Sequence, residues 1–126
     1  MKIEELCPDG NFSCWDHETL ATLQKGNYTT QVGEQLIFEN ADLKVWTIKL
    51  LANSSLPFHK HTTNYNWTAM TDGSAISHYQ TGRIIQLSYT KGDLSYYDHD
   101  TKGSFVHNLK NIGNKPLEFI TIEYKK

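Results

Sequence analysis

The chain has 126 residues, a formal net charge of −2 and an apolar content of 38%. That length supports one compact domain with its own core and is too short for two ordinary domains. The balanced charge, with a pI near 6.3, supplies no basic face for nucleic acid and no polybasic membrane segment, and no apolar run approaches the ~20 residues of a membrane span.

From the N-terminus, Met1-Lys2-Ile3-Glu4-Glu5-Leu6 lacks the apolar core of a signal peptide, which favours a cytoplasmic location. Cys7 and Cys14 have no second cysteine pair with which to complete a zinc knuckle. In a reducing compartment they read as two free thiols, with pairing or joint metal binding as the alternatives. Residues 16–25, opened by an Asp16 cap and closed by Gly26, read as a short helix. The Asn-x-Ser/Thr tripeptides at Asn11, Asn27, Asn53 and Asn66 are chance matches in the absence of a secretion signal. Residues 1–35 carry the fewest structural signals and read as an N-terminal extension.

From residue 36 to 126 the chain reads as β. Residues 42–50 alternate and are rich in strand formers. Residues 76–80 and 83–89 flank Thr81-Gly82 as a hairpin, 94–97 form a short strand, and 117–124 close the sheet. Short strands separated by turn signals at near-regular spacing indicate an all-β sandwich or barrel.

The chemistry concentrates in Pro57-Phe58-His59-Lys60-His61 and Phe105-Val106-His107. Two histidines one residue apart project to the same side of a strand, so one metal ion can reach both imidazoles. His107 supplies a third ligand. Three protein ligands with an open position are the usual arrangement of a catalytic metal, and imidazole suits zinc, copper, iron and nickel. The competing reading is three hydrogen-bonded histidines in a metal-free polar cavity. Mutual repulsion on protonation counts against it.

The flanks of these histidines resemble the cupin family. Its first motif has a turn glycine, H-x-H, a glutamate and a second glycine. Here Asn53 takes the place of the first glycine, since asparagine tolerates the left-handed turn conformation, and Gly73 matches the second. Its second motif is matched by Gly92-Asp93, His107 and Asn111, with Asp98 in place of a proline and extra residues before His107. The likeness covers about three quarters of the chain and is similar to small cupins associated with β-alanine degradation.

The resemblance implies a double-stranded β-helix, a jelly-roll-like barrel, over residues 36–126. Residues 1–35 would pack on this barrel or be exchanged with a partner in a homodimer. It also implies a divalent metal (Fe, Zn or Ni) on His59, His61 and His107. The motif's glutamate is missing: counting back from Gly73 reaches Asn66, beside Tyr65. Tyr65 is then the candidate catalytic group and Asn66 a weaker metal ligand. Strand alternation admits only one of the two to the cavity unless a bulge intervenes. Trp67 and Phe105 are candidates for the substrate pocket, or simply core filling.

Other polar residues have plainer readings. His17 and His78 are expected to be solvated or hydrogen-bonded, His99 to sit in a polar loop at the barrel mouth, and Asn111 to satisfy backbone groups at a strand end.

Two functional classes stay open. One is a metal-dependent enzyme acting on a small anionic metabolite, a dioxygenase with iron or a Lewis-acid catalyst with zinc or nickel. The other is a non-catalytic module that binds a small ligand, with a structural or absent metal. The inner strands offer no well-placed Asp or Glu, which disfavours acid–base catalysis.

Overall fold

The computed structural model describes residues 1–7 and 12–125. In chain order its elements are β1 (Lys2–Glu5), α1 (His17–Gln24), β2 (Gln35–Glu39), β3 (Leu43–Leu50), β4 (Ser55–His61) and β5 (Tyr65–Ala69). They continue with β6 (Gly73–His78), β7 (Ile84–Tyr89), β8 (Leu94–Tyr97), α2 (His99–Lys102), β9 (Phe105–Asn111) and β10 (Leu117–Tyr124). Two five-stranded sheets result, ordered β1-β7-β6-β9-β4 and β2-β3-β10-β5-β8. The pairings between these strands are antiparallel. From β4 to β10 the chain passes repeatedly from one sheet to the other, which gives a double-stranded β-helix.

Alternation builds the core between the sheets. On β3, Trp46, Ile48 and Leu50 are buried while Lys49 is exposed. On β10, Leu117, Phe119 and Thr121 face them in register, Leu117 against Leu50, Phe119 against Ile48 and Thr121 against Trp46. Two glycines make close approaches possible. A Cβ on Gly33 would collide with Cβ of Trp46, and one on Gly73 with Cδ2 of Leu117. The turn before β4 places Asn53 at φ 65°, the left-handed conformation its side chain tolerates.

The N-terminal region contributes more than its sequence suggests. β1 adds an edge strand beside β7. Asp16 caps α1, its Oδ2 accepting from the Thr19 amide at 2.9 Å. The helix then lies on the outer face of β4 and β9, where Leu23 packs with Phe58 and Val106. Trp15 anchors this layer by stacking on Phe58 at 6.1 Å and donating its indole N–H to Gly82 O at 2.8 Å.

Cys7 and Cys14 are disulfide-bonded, which corrects the expectation of two free thiols. Pairing β1 with β7 and docking the segment before α1 beside it bring the two Cα atoms to 5.9 Å, inside the normal bridging range. Compartment reasoning had no access to that proximity. No helix among the described residues is long and apolar enough to cross a membrane.

Candidate metal centre

β4 and β9 run side by side, with His59 paired to His107 and His61 to Phe105. The register slips between Leu56 and His59, so β4 holds one residue more than β9 across this interval. Pro57 lies within the slip and has no N–H to give to the ladder. A bulge of this kind re-aims side chains. Leu56 and the His59/His61 pair all line the interior cavity, and Phe58 turns outward to meet α1. A regular strand would have put Leu56 and His59 on opposite faces.

The three histidines converge, with one ligand nitrogen from each lying within 4.8 Å of the others. Nε2 of His61 is 3.0 Å from Nε2 of His107. The Nδ1 of His59 lies 2.7 Å from Pro57 O, and a carbonyl only accepts, so this nitrogen carries the proton. His107 is pinned through Nδ1, 2.9 Å from Ser77 Oγ. His61 is sandwiched between Tyr65, at 4.2 Å and 9° between planes, and Phe105, at 4.7 Å.

Burial holds all three imidazoles below their ordinary pKa, His107 well below it and His61 at about 2. Neighbouring histidine charge adds to the effect at His61 and His107, while the bond to Pro57 O opposes it at His59. All three are therefore neutral at physiological pH, the state in which imidazole ligates metal. Three neutral imidazole nitrogens with no carboxylate among them form a donor set that fits a divalent transition metal.

The cavity beside the histidines has a volume of ≈ 380 Å³. Tyr65 and Trp67 both face it, and Asn66 does not: its amide donates to Tyr124 Oη at 3.0 Å on the other face of β5. β5 keeps an unbroken register with β10 and β8, so alternation excludes Asn66 from the metal. Burial pushes the Tyr65 phenol well above its usual range, keeping it protonated, and its hydroxyl makes no hydrogen bond to a described residue. Trp67 stands edge-on to Tyr89 at 5.4 Å and to Phe119 at 6.0 Å. Phe105, on β9 of the other sheet, lines the same cavity.

No Asp or Glu lines the cavity among the described residues, whereas Arg83 and Lys102 reach it. Arg83 is bound through Nε to Glu5 at 2.9 Å, and Lys102 sits over the Tyr97 ring at 5.8 Å.

The remaining candidates lie elsewhere. His78 faces outward, edge-on to Trp15 at 4.8 Å. His17 opens α1, and His99 opens α2 with Nε2 2.9 Å from Ser104 Oγ. Asn111, fully buried, donates to Leu50 O and Lys115 O at 2.9 and 2.8 Å and accepts from the Gly113 amide at 2.9 Å. Ser77, Tyr79 and Tyr89 also belong to the site and escaped the sequence reading. Alternation along β6 from the buried Ala75 would have pointed Ser77 and Tyr79 inward; nothing local marks Ser77 as a histidine's partner.

Comparison with known proteins places the fold. No family model matches the chain, and no curated protein matches it. Solved structures do. A cupin domain from Bordetella pertussis Tohama I aligns at TM-score 0.65 with 19% identity, over 79% of this chain and 98% of that one. A protein from Bacillus halodurans aligns at TM-score 0.58 with 16% identity, over 89% of this chain and 80% of that one. An RmlC-like cupin family protein from Methanocaldococcus jannaschii, described as having a double-stranded β-helix fold, aligns at TM-score 0.57 with 14% identity, over 71% and 76% of the two chains. At these identities the likeness concerns the fold, which is the cupin double-stranded β-helix, and nothing in it bears on β-alanine degradation.

Proposed function

We propose that this cupin-fold chain binds one divalent transition metal through His59, His61 and His107 and presents it to a small anionic ligand in the adjoining cavity. The observation that carries this reading is the convergence of three neutral imidazoles, those of His59 and His61 buried and that of His107 partly so, two of them already held by acceptors at Nδ1. With three neutral ligands the ion keeps its full positive charge, which attracts an anionic co-ligand. The lining has no carboxylate to repel such a ligand, and Lys102 and Arg83 sit within reach of it.

The metal, when bound, supplies Lewis acidity, or oxygen chemistry if it is iron. The chain's own residues bind and orient. Tyr65, protonated and stacked on His61, donates a hydrogen bond to the ligand. Trp67 and Phe105 hold its apolar body and exclude water. The absence of a carboxylate base in the lining favours dioxygenase-type chemistry over acid–base catalysis. The second reading, a non-catalytic ligand-binding module, is favoured by the same lack of a base.

In this account residues 36–126 are the barrel domain and 1–35 an extension packed on it. Leu36, Ile37 and Phe38, exposed on the edge strand β2, support association with a second copy. The disulfide is the feature that bears on compartment, and it favours an oxidising setting over the cytoplasm.

The test is titration of metal-loaded protein with small carboxylates, wild type against Tyr65→Phe. We expect saturable binding by wild type and binding roughly tenfold weaker in the variant, about 1.4 kcal/mol for one lost hydrogen bond, with metal content unchanged. Equal affinity would remove Tyr65 from the ligand's contacts, and no binding by wild type would remove the anion.

A further inference from the structure

The three imidazoles are held unequally, and the inequality resolves into assignable protons; the inference rests on the metal-binding reading above. Ser77 is fully buried, and its Oγ lies 2.6 Å from Asn108 O and 2.9 Å from Nδ1 of His107. A hydroxyl has one proton. A carbonyl cannot donate, so that proton goes to Asn108 O and the serine oxygen accepts from His107. His107 is thereby fixed with its proton on Nδ1 and a lone pair on Nε2, as His59 is by Pro57 O.

His61 is the exception. Its Nε2 lies 3.0 Å from Nε2 of His107, which has only a lone pair to offer, so the proton between them belongs to His61. That leaves Nδ1 of His61 deprotonated and buried, and it has no hydrogen-bond partner among the described residues.

We propose that Ser77 is a positioning residue of the metal centre: by holding His107 in its ligating tautomer, it makes His61 the single ligand that must change tautomer for metal to bind. The proton balance is neutral. The Nε2–H bond of His61 breaks and its proton leaves to solvent; Nδ1 takes one proton from solvent, and the ring stays uncharged. Without metal, the His61–His107 hydrogen bond closes the centre on itself. Partners of this second kind, behind a ligating histidine, are typically worth 10–100-fold in metal affinity.

The experiment has two readouts. Long-range nitrogen–proton correlation spectra of the metal-free, histidine-labelled wild-type protein should show His59 and His107 protonated on Nδ1 and His61 on Nε2. Adding Zn²⁺ should move the His61 proton to Nδ1 and leave the other two in place. Ser77→Ala should release His107 from its single tautomer and weaken Zn²⁺ binding 10–100-fold; Ser77→Thr, which keeps the hydroxyl, should restore the His107 pattern. His107 protonated on Nε2 in the wild type, or Zn²⁺ affinity and tautomers unchanged in Ser77→Ala, would overturn the proposal. A wild-type protein that takes up no Zn²⁺ while showing the expected metal-free pattern would instead defeat the metal-binding reading and keep the tautomer assignment.

Discussion

At the scale of the residue, burial has left three histidines neutral in the fold that would each accept a proton at about 6.5 when unfolded. Their folded values are depressed. Their contribution is therefore fully present above about pH 6.5 and is lost as pH falls towards about 2, the value that bounds His61. Each group lowers stability by up to ~1.4 kcal/mol per pH unit within its own window. Urea denaturation of metal-free protein from pH 8 to pH 4 should show a steep loss of stability below 6.5, shallower in His61→Phe. A flat profile would mean that the histidines are solvated. Asn111 is a second residue with a defined cost. Its side chain joins the end of β3 to the loop after β9, so Asn111→Ala abandons three backbone groups, one buried and two partly buried, and should cost about 3 kcal/mol in the same assay.

At the scale of the element, the outer face of the ligand strands depends on α1. Leu23 is buried against Phe58 and Val106, the neighbours in sequence of His59 and His107. Leu23→Ala should lower stability by about 2–4 kcal/mol and weaken metal retention, because the helix braces both ligand strands. Thermal melting with and without metal checks it, and a variant as stable as wild type would show that the helix is dispensable.

This scale also separates what the sequence disclosed from what it concealed. The H-x-H spacing gave the shared face of His59 and His61, and the left-handed tolerance of asparagine gave the Asn53 turn. The choice between Tyr65 and Asn66 needed the unbroken register of β5 on both of its neighbours, a long-range property. The bulge at Pro57 was equally hidden, since proline weakens a ladder without stating which residues then turn inward. Ser77 and His107 are 30 positions apart, and only the pairing of β6 with β9 brings them within a hydrogen bond.

At the scale of the molecule, turn and strand signals after residue 36 indicated an all-β sandwich or barrel, and the resemblance of the histidine flanks to cupins supplied the double-stranded β-helix. In the region before it the Asp16-capped helix was legible, whereas β1 and the disulfide were not, because they acquire their structure from pairing with β7. What this barrel encloses is measured by elemental analysis of protein purified without a metal-affinity column, on wild type and single variants together. Wild type and His78→Ala should carry close to one equivalent of a divalent transition metal, and His59→Ala, His61→Ala and His107→Ala should each lose it at least tenfold. Equal metal content in all five proteins, or none in a wild type that also takes up no added Zn²⁺, would contradict the metal-binding reading.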